Sequence, residues 1–81
     1  MTKRDKLIAA IRNNLKDVGF EDACRAARWL GFTATGGAGS HCAYSRPGEP
    51  MLLNFQNRNG KIKPYQARQL IAMIDKYESE L

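Results

Sequence analysis

The chain has 81 residues, of which 43% are hydrophobic and 26% charged, so one small globular domain spanning residues 1–81 is expected and neither a disordered nor a fibrous class is indicated. Thirteen Lys and Arg against eight Asp and Glu leave a formal charge of +5, which favours polyanionic partners. No apolar run approaches the roughly 18 residues of a membrane span, and the basic N-terminus lacks a signal-peptide core, so a cytoplasmic protein with no membrane partner is expected.

Leu7, Ile8, Ile11 and Leu15 recur at helical spacing between Lys3, Arg4, Lys6, Arg12 and Lys16, which predicts a first amphipathic helix ended or turned by Asp17-Val18-Gly19. A second helix begins near Phe20, with Ala23, Cys24, Ala27 and Leu30 on one face and Gly31 as its stop. Its other face carries Arg25 and Trp29, a pair suited either to stacking on a base or to packing against the last helix.

From Phe32 the period changes to two. Phe32–Thr35, His41–Ser45 and, more loosely, Met51–Gln56 predict three strands, the last two joined as a hairpin through Pro47-Gly48-Glu49-Pro50. Alternation puts His41, Ala43 and Ser45 on one face and Cys42, Tyr44 and Arg46 on the other, while Met51, Leu53 and Phe55 are expected to face the core. After the polar turn Asn57-Arg58-Asn59-Gly60, Pro64 suits the first position of a third helix. That helix buries Ala67, Leu70, Ile71, Ile74 and Tyr77 and turns Arg68, Gln69, Asp75 and Lys76 to water. The expected class is α+β: a three-stranded antiparallel sheet with helices on one face, in the order α-α-β-β-β-α.

The single histidine, His41, closes the run Gly36-Gly37-Ala38-Gly39-Ser40. Imidazole is the side chain whose ordinary pKa, about 6.5, permits proton transfer near neutral pH. Residues 41–68 carry five basic groups and one acidic, so the positive field is densest just after it. Cleaving an RNA phosphodiester without a metal requires deprotonating the 2′-hydroxyl, protonating the leaving 5′-oxygen and stabilising the charge that develops between them. His41 can make one transfer. Lys61, Lys63, Arg46, Arg58 or Arg68 can face the phosphate, and the second proton would come from water, Tyr44, Tyr65, a lysine or the substrate. The other reading of His41 is a strand-end residue bonded to backbone.

The glycine run matches neither the Walker nor the dinucleotide pattern, so a plain turn competes with a phosphate cradle. Lys61-Ile62-Lys63-Pro64 precedes a helix N-terminus, where anions are favoured, although a solvated loop has the same composition. Two cysteines, Cys24 and Cys42, with one histidine and no Cys-x-x-Cys give no zinc pattern, and no carboxylates cluster for a magnesium site. No metal and no cofactor are expected.

Three blocks in order, Gly39-Ser40-His41-Cys42-Ala43-Tyr44, Leu52-Leu53-Asn54-Phe55-Gln56 and Gly60-Lys61-Ile62-Lys63-Pro64-Tyr65-Gln66-Ala67-Arg68-Gln69, resemble the HicA family of toxins from bacterial toxin-antitoxin pairs. The likeness runs from the Phe20–Phe32 segment to about Tyr77 and points to a longer subgroup of that family. It implies a fold similar to a double-stranded RNA-binding domain and a metal-independent endoribonuclease that halts translation by cutting mRNA. It further implies inhibition by a HicB-type antitoxin protein. The family's catalytic histidine falls on His41 and its Gly-Ser pair on Gly39 and Ser40. The resemblance carries over no further residues; from the basic segment itself, Lys61, Lys63 and Arg68 are expected to hold substrate phosphates. Family members often have a second histidine where this chain has Cys42. A non-catalytic double-stranded RNA-binding module and a degenerate toxin that only binds its partner are the competing expectations.

Overall fold

The computed structural model describes residues 2–36 and 41–80. Helix α1 spans Lys3–Asn13, and Thr2 starts it with a reciprocal cap: the Asp5 amide donates to the Thr2 hydroxyl at 3.2 Å, and the Thr2 amide donates to the Asp5 carboxylate. It buries Ile8 and Ile11. Leu15 lies beyond the helix end but still packs, half-buried, against the core.

Helix α2 spans Phe20–Trp29. Its buried face is made of Ala23, Cys24, Ala26 and Ala27, small side chains that let the helix lie close to its neighbours. The end is a Schellman motif: the Phe32 amide donates to the Ala27 carbonyl and the Gly31 amide to the Arg28 carbonyl, both at 3.0 Å. Gly31 sits at φ 92°, where a side chain is strained. The expected stop is therefore the actual one. Phe32 is taken up as the last residue of this motif and fully buried, so the first strand begins one residue later than the alternation suggests.

Strands β1 (Thr33–Gly36), β2 (His41–Ser45) and β3 (Leu53–Gln56) form one antiparallel sheet in that order. In β2 and β3, His41 faces Gln56, Cys42 faces Phe55, Ala43 faces Asn54 and Tyr44 faces Leu53. Paired residues share a face, so Tyr44, Leu53 and Phe55 form the inner surface against the helices, and His41 lies on the outer one. All four residues of β1 are exposed, and its register shifts between Ala34 and Gly36. Met51 does not join the core: β3 starts at Leu53, and Met51 and Leu52 are 41% and 49% exposed. The turn explains why. The Met51 amide is claimed by the Glu49 carboxylate at 3.0 Å, and Pro50 has no amide to offer a ladder.

Helix α3 spans Pro64–Tyr77, with proline at its first position as expected, and a 3₁₀ turn, Glu78–Glu80, follows. The order α-α-β-β-β-α and the α+β class hold as read from sequence. Phe32, Phe55, Leu53, Leu70 and Ile74 are the largest fully buried side chains. Arg12 ties α1 to the far end of α3 through Asp75 (2.6 Å) and Glu78 (3.2 Å).

Between β3 and α3 the chain makes a two-residue turn at Asn59-Gly60, both with positive φ (54° and 84°), closed by paired backbone bonds between Arg58 and Lys61. The strand-like segment after it zips onto the α1–α2 connection: the Phe20 amide donates to the Gly60 carbonyl (2.8 Å) and the Ile62 amide to the Val18 carbonyl (2.9 Å). Among the described residues no helix is long and apolar enough to cross a membrane.

Candidate functional site

His41 is the first residue of β2, exposed, on the outer face of the sheet. Among the described residues none hydrogen-bonds its imidazole. The strand-end reading required a backbone partner, and no described residue supplies one. Opposite His41 lies Gln56, at the end of an edge strand whose outward amides have no neighbouring strand among the described residues.

That edge is finished by α3. The Gln66 side chain, only 4% exposed, accepts from the Gln56 amide and from the Lys63 amide through the same oxygen, each at 3.1 Å. The two nitrogens are therefore within about 6 Å of one another. Its Nε2 reaches the Tyr65 hydroxyl at 3.5 Å. One amide side chain thus fixes the end of β3 and the start of α3 and makes a long contact with Tyr65. As directly opposed strand residues lie roughly 5 Å apart, His41 is held at the same end of the molecule. The sequence reading missed this role of Gln66. The available signal was its spacing, three residues after the helix-start position Lys63, where a Gln side chain reaches back to the capping amide.

The cations divide into two groups. Arg46 is half-buried inside the fold: its Nε donates to the Leu30 carbonyl at 2.8 Å, and its guanidinium stacks 3.8 Å from the centre of the Tyr77 ring. It was a candidate for phosphate contact, and it serves instead to join the end of α2 to α3. Lys61 is exposed and pairs with Asp17 at 2.7 Å. Lys63, at the cap position of α3, and Arg68, on its exposed face, have no carboxylate partner among the described residues, nor has Arg58. Gly39 and Ser40 lie outside the described residues.

The remaining proton-transfer candidates separate by face. Tyr44 is buried on the inner surface, its hydroxyl accepting from Arg28 Nη1 at 3.2 Å. Burial, with the Cys24 thiol beside it, pushes its pKa up from 10.0. Tyr44 cannot serve His41 from there. Tyr65, 48% exposed at the start of α3, remains on the His41 end of the molecule. Cys42 points inward, as alternation requires, and burial raises the pKa of the neighbouring Cys24. Neither cysteine is bonded to the other.

Glu49, the one acid of the basic segment, is withdrawn from the surface. Its side chain, 3% exposed, accepts from Lys76 Nζ at 2.6 Å, from the Tyr77 hydroxyl and from the Met51 amide. The Lys76 and Tyr77 bonds hold its carboxyl well below the ordinary 4.5, at about 2. It lies in the turn after Ser45, at the far end of β2 from His41.

His41 lines neither a cleft of about 340 Å³ between Phe20, Cys24, Arg28, Cys42 and Tyr44 nor another of about 290 Å³ near Gly19 and Asn57. The histidine itself is exposed, and an exposed group can be reached by a polymer as well as by a small molecule. Arg25 is exposed and pairs with Asp22 at 3.8 Å, and Trp29 is half-buried. No group of three or more His, Cys, Asp or Glu among the described residues is placed to hold a metal ion. No protein-family model matches the chain, and no curated protein and no solved structure matches it.

Proposed function

We propose that this chain is a metal-independent endoribonuclease, the toxin of a toxin-antitoxin pair that cuts mRNA, with His41 as general acid or base. The observation that carries the reading is an exposed imidazole without a partner among the described residues, opposite the strand end that Gln66 ties to the start of α3. That helix has Lys63 at its cap position and carries Arg68, neither of which has a carboxylate partner among the described residues. The HicA-like blocks support the same assignment, including a HicB-type antitoxin as protein partner.

In this mechanism the 2′-oxygen attacks the adjacent phosphorus as its proton leaves to a base, and the 5′-oxygen departs as it receives a proton. The products are a 2′,3′-cyclic phosphate and a 5′-hydroxyl. His41 supplies one of the two transfers. Lys63 and Arg68 face the phosphorane charge, and fixed cations aimed at developing charge are usually the largest catalytic contribution. Lys61 adds to the field when it exchanges Asp17 for a phosphate. Tyr65, a lysine or water completes the proton inventory.

The test is induction of the parent chain and His41→Ala in cells, following growth and RNA integrity, with cleavage of purified RNA in EDTA. Growth arrest, RNA cuts and cyclic-phosphate ends from the parent alone are expected. Equal cleavage by both chains refutes a catalytic His41. RNA binding that is steeply salt-dependent and unaffected by His41→Ala, with no product, establishes the non-catalytic duplex-binding reading instead.

A further inference from the structure

We propose that Tyr65 is the stacking platform for a base of single-stranded RNA, seating the nucleotide next to the phosphate that His41 faces; this rests on the RNA reading above. Tyr65 is the one exposed aromatic among the described residues, with nearly half of its surface open although it sits at the second position of a helix that is otherwise well packed. Gln66 Nε2 lies 3.5 Å from its hydroxyl, a long hydrogen bond, while the same side chain's oxygen holds the Gln56 and Lys63 amides, so the ring sits next to the side chain that ties α3 to the strand end opposite His41.

The charges around it fit a nucleotide. The Lys63 ammonium lies 5.9 Å from the ring centre, near the outer limit of a cation–π contact, so it can meet a phosphate while a base covers the ring. Arg68 follows three residues later on the same exposed helix face, since residues i and i+3 are neighbours there. Neither cation has a carboxylate partner among the described residues. A ring flanked by two available cations binds a base through its face and the backbone through its charge, with little regard for base identity. A duplex would hide its base faces in its own stack, so the expected occupant is a single strand.

The experiment measures binding of short 2′-O-methyl oligoribonucleotides, which have no free 2′-hydroxyl to attack, to the parent chain and to Tyr65→Ala, Tyr65→Leu and Tyr65→Phe. Each base in turn is replaced by an abasic residue, and cleavage of unmodified RNA is followed in parallel. Tyr65→Ala and Tyr65→Leu should weaken binding roughly 5- to 150-fold, the range for losing one base–aromatic stack, while Tyr65→Phe stays within about twofold. At one position the abasic change should weaken the parent by a similar factor and leave Tyr65→Ala unaffected. Additive losses at every position, a Tyr65→Phe loss as large as that of Tyr65→Ala, or no binding by the parent overturns the stacking role. Coupling without cleavage keeps Tyr65 and removes the nuclease reading, whereas cleavage without coupling keeps the nuclease and removes Tyr65. Tyr65→Leu retains an apolar side chain, so a folding defect confined to the alanine variant leaves the test intact.

Discussion

Replacing Gln66 by methionine keeps the length and helix compatibility of the side chain but deletes the oxygen that the Gln56 and Lys63 amides share. An unsatisfied buried donor costs about 1–3 kcal/mol. Both amides belong to half-buried residues that water can partly reach, so the lower part of that range applies to each and about 2–3 kcal/mol to the pair. For an 81-residue domain the total stability is about 4–12 kcal/mol. The melting temperature should fall by about 10–20 °C on the scaling for domains of this size. Gln66→Glu keeps an acceptor for both amides and adds a negative charge to the first turn of α3, where the helix dipole favours it, which offsets part of the cost of burying a carboxylate there, so its stability should fall between those of the parent and Gln66→Met. Urea unfolding with an unchanged slope measures both. A Gln66→Met variant within about 0.5 kcal/mol of the parent, the ordinary scatter of surface substitutions, would refute the shared-acceptor account, as would a Gln66→Glu variant no better than Gln66→Met.

The Glu49 carboxyl, at about 2 in the folded chain against an ordinary 4.5, contributes stability that is fully present above pH 4.5 and is lost as pH falls through 2. Urea midpoints of the parent and Glu49→Gln should therefore differ most above pH 4.5 and converge toward pH 2; a constant gap across that window would refute the assignment. Gly31→Ala must accept φ 92° and places a methyl 3.2 Å from Arg46 Nε, the atom bonded to the Leu30 carbonyl. Left-handed backbone alone costs about 1–2 kcal/mol, and crowding the arginine should raise the loss to about 2–4 kcal/mol, read as a lower urea midpoint.

What the sequence made legible was whatever a local pattern determines. Gly31 ended α2 and Pro64 began α3 because backbone geometry leaves few other uses for those residues in those places. The alternation from His41 to Arg46 separated the histidine from Tyr44 correctly, because a strand has only two faces. The errors arise where a side chain is claimed from a distance. Met51 follows the apolar alternation of β3, yet Glu49 takes its amide, and that carboxylate is held by Lys76 and Tyr77, 27 and 28 residues away. Arg46 looks like any other cation of the basic segment until Leu30 and Tyr77 are brought to it by the fold. Gln66 was equally hidden, since its second partner, Gln56, lies 10 residues earlier on a strand. For the candidate site, His41 was visible as the lone imidazole and Lys63 and Arg68 as charges, but which cations remain available was decided by tertiary pairing.

The clamps on the sheet also set an order of assembly during synthesis. Both ends of the β2–β3 pair are held from α3, by Gln66 at the Gln56 end and by Lys76 and Tyr77 at the Glu49 end. A ribosome adds roughly 5–20 residues per second, so β2 and β3 emerge before either clamp exists. A nascent chain carrying His41 therefore has the imidazole but not its setting, and the candidate site matures only when α3 has left the exit tunnel and docked.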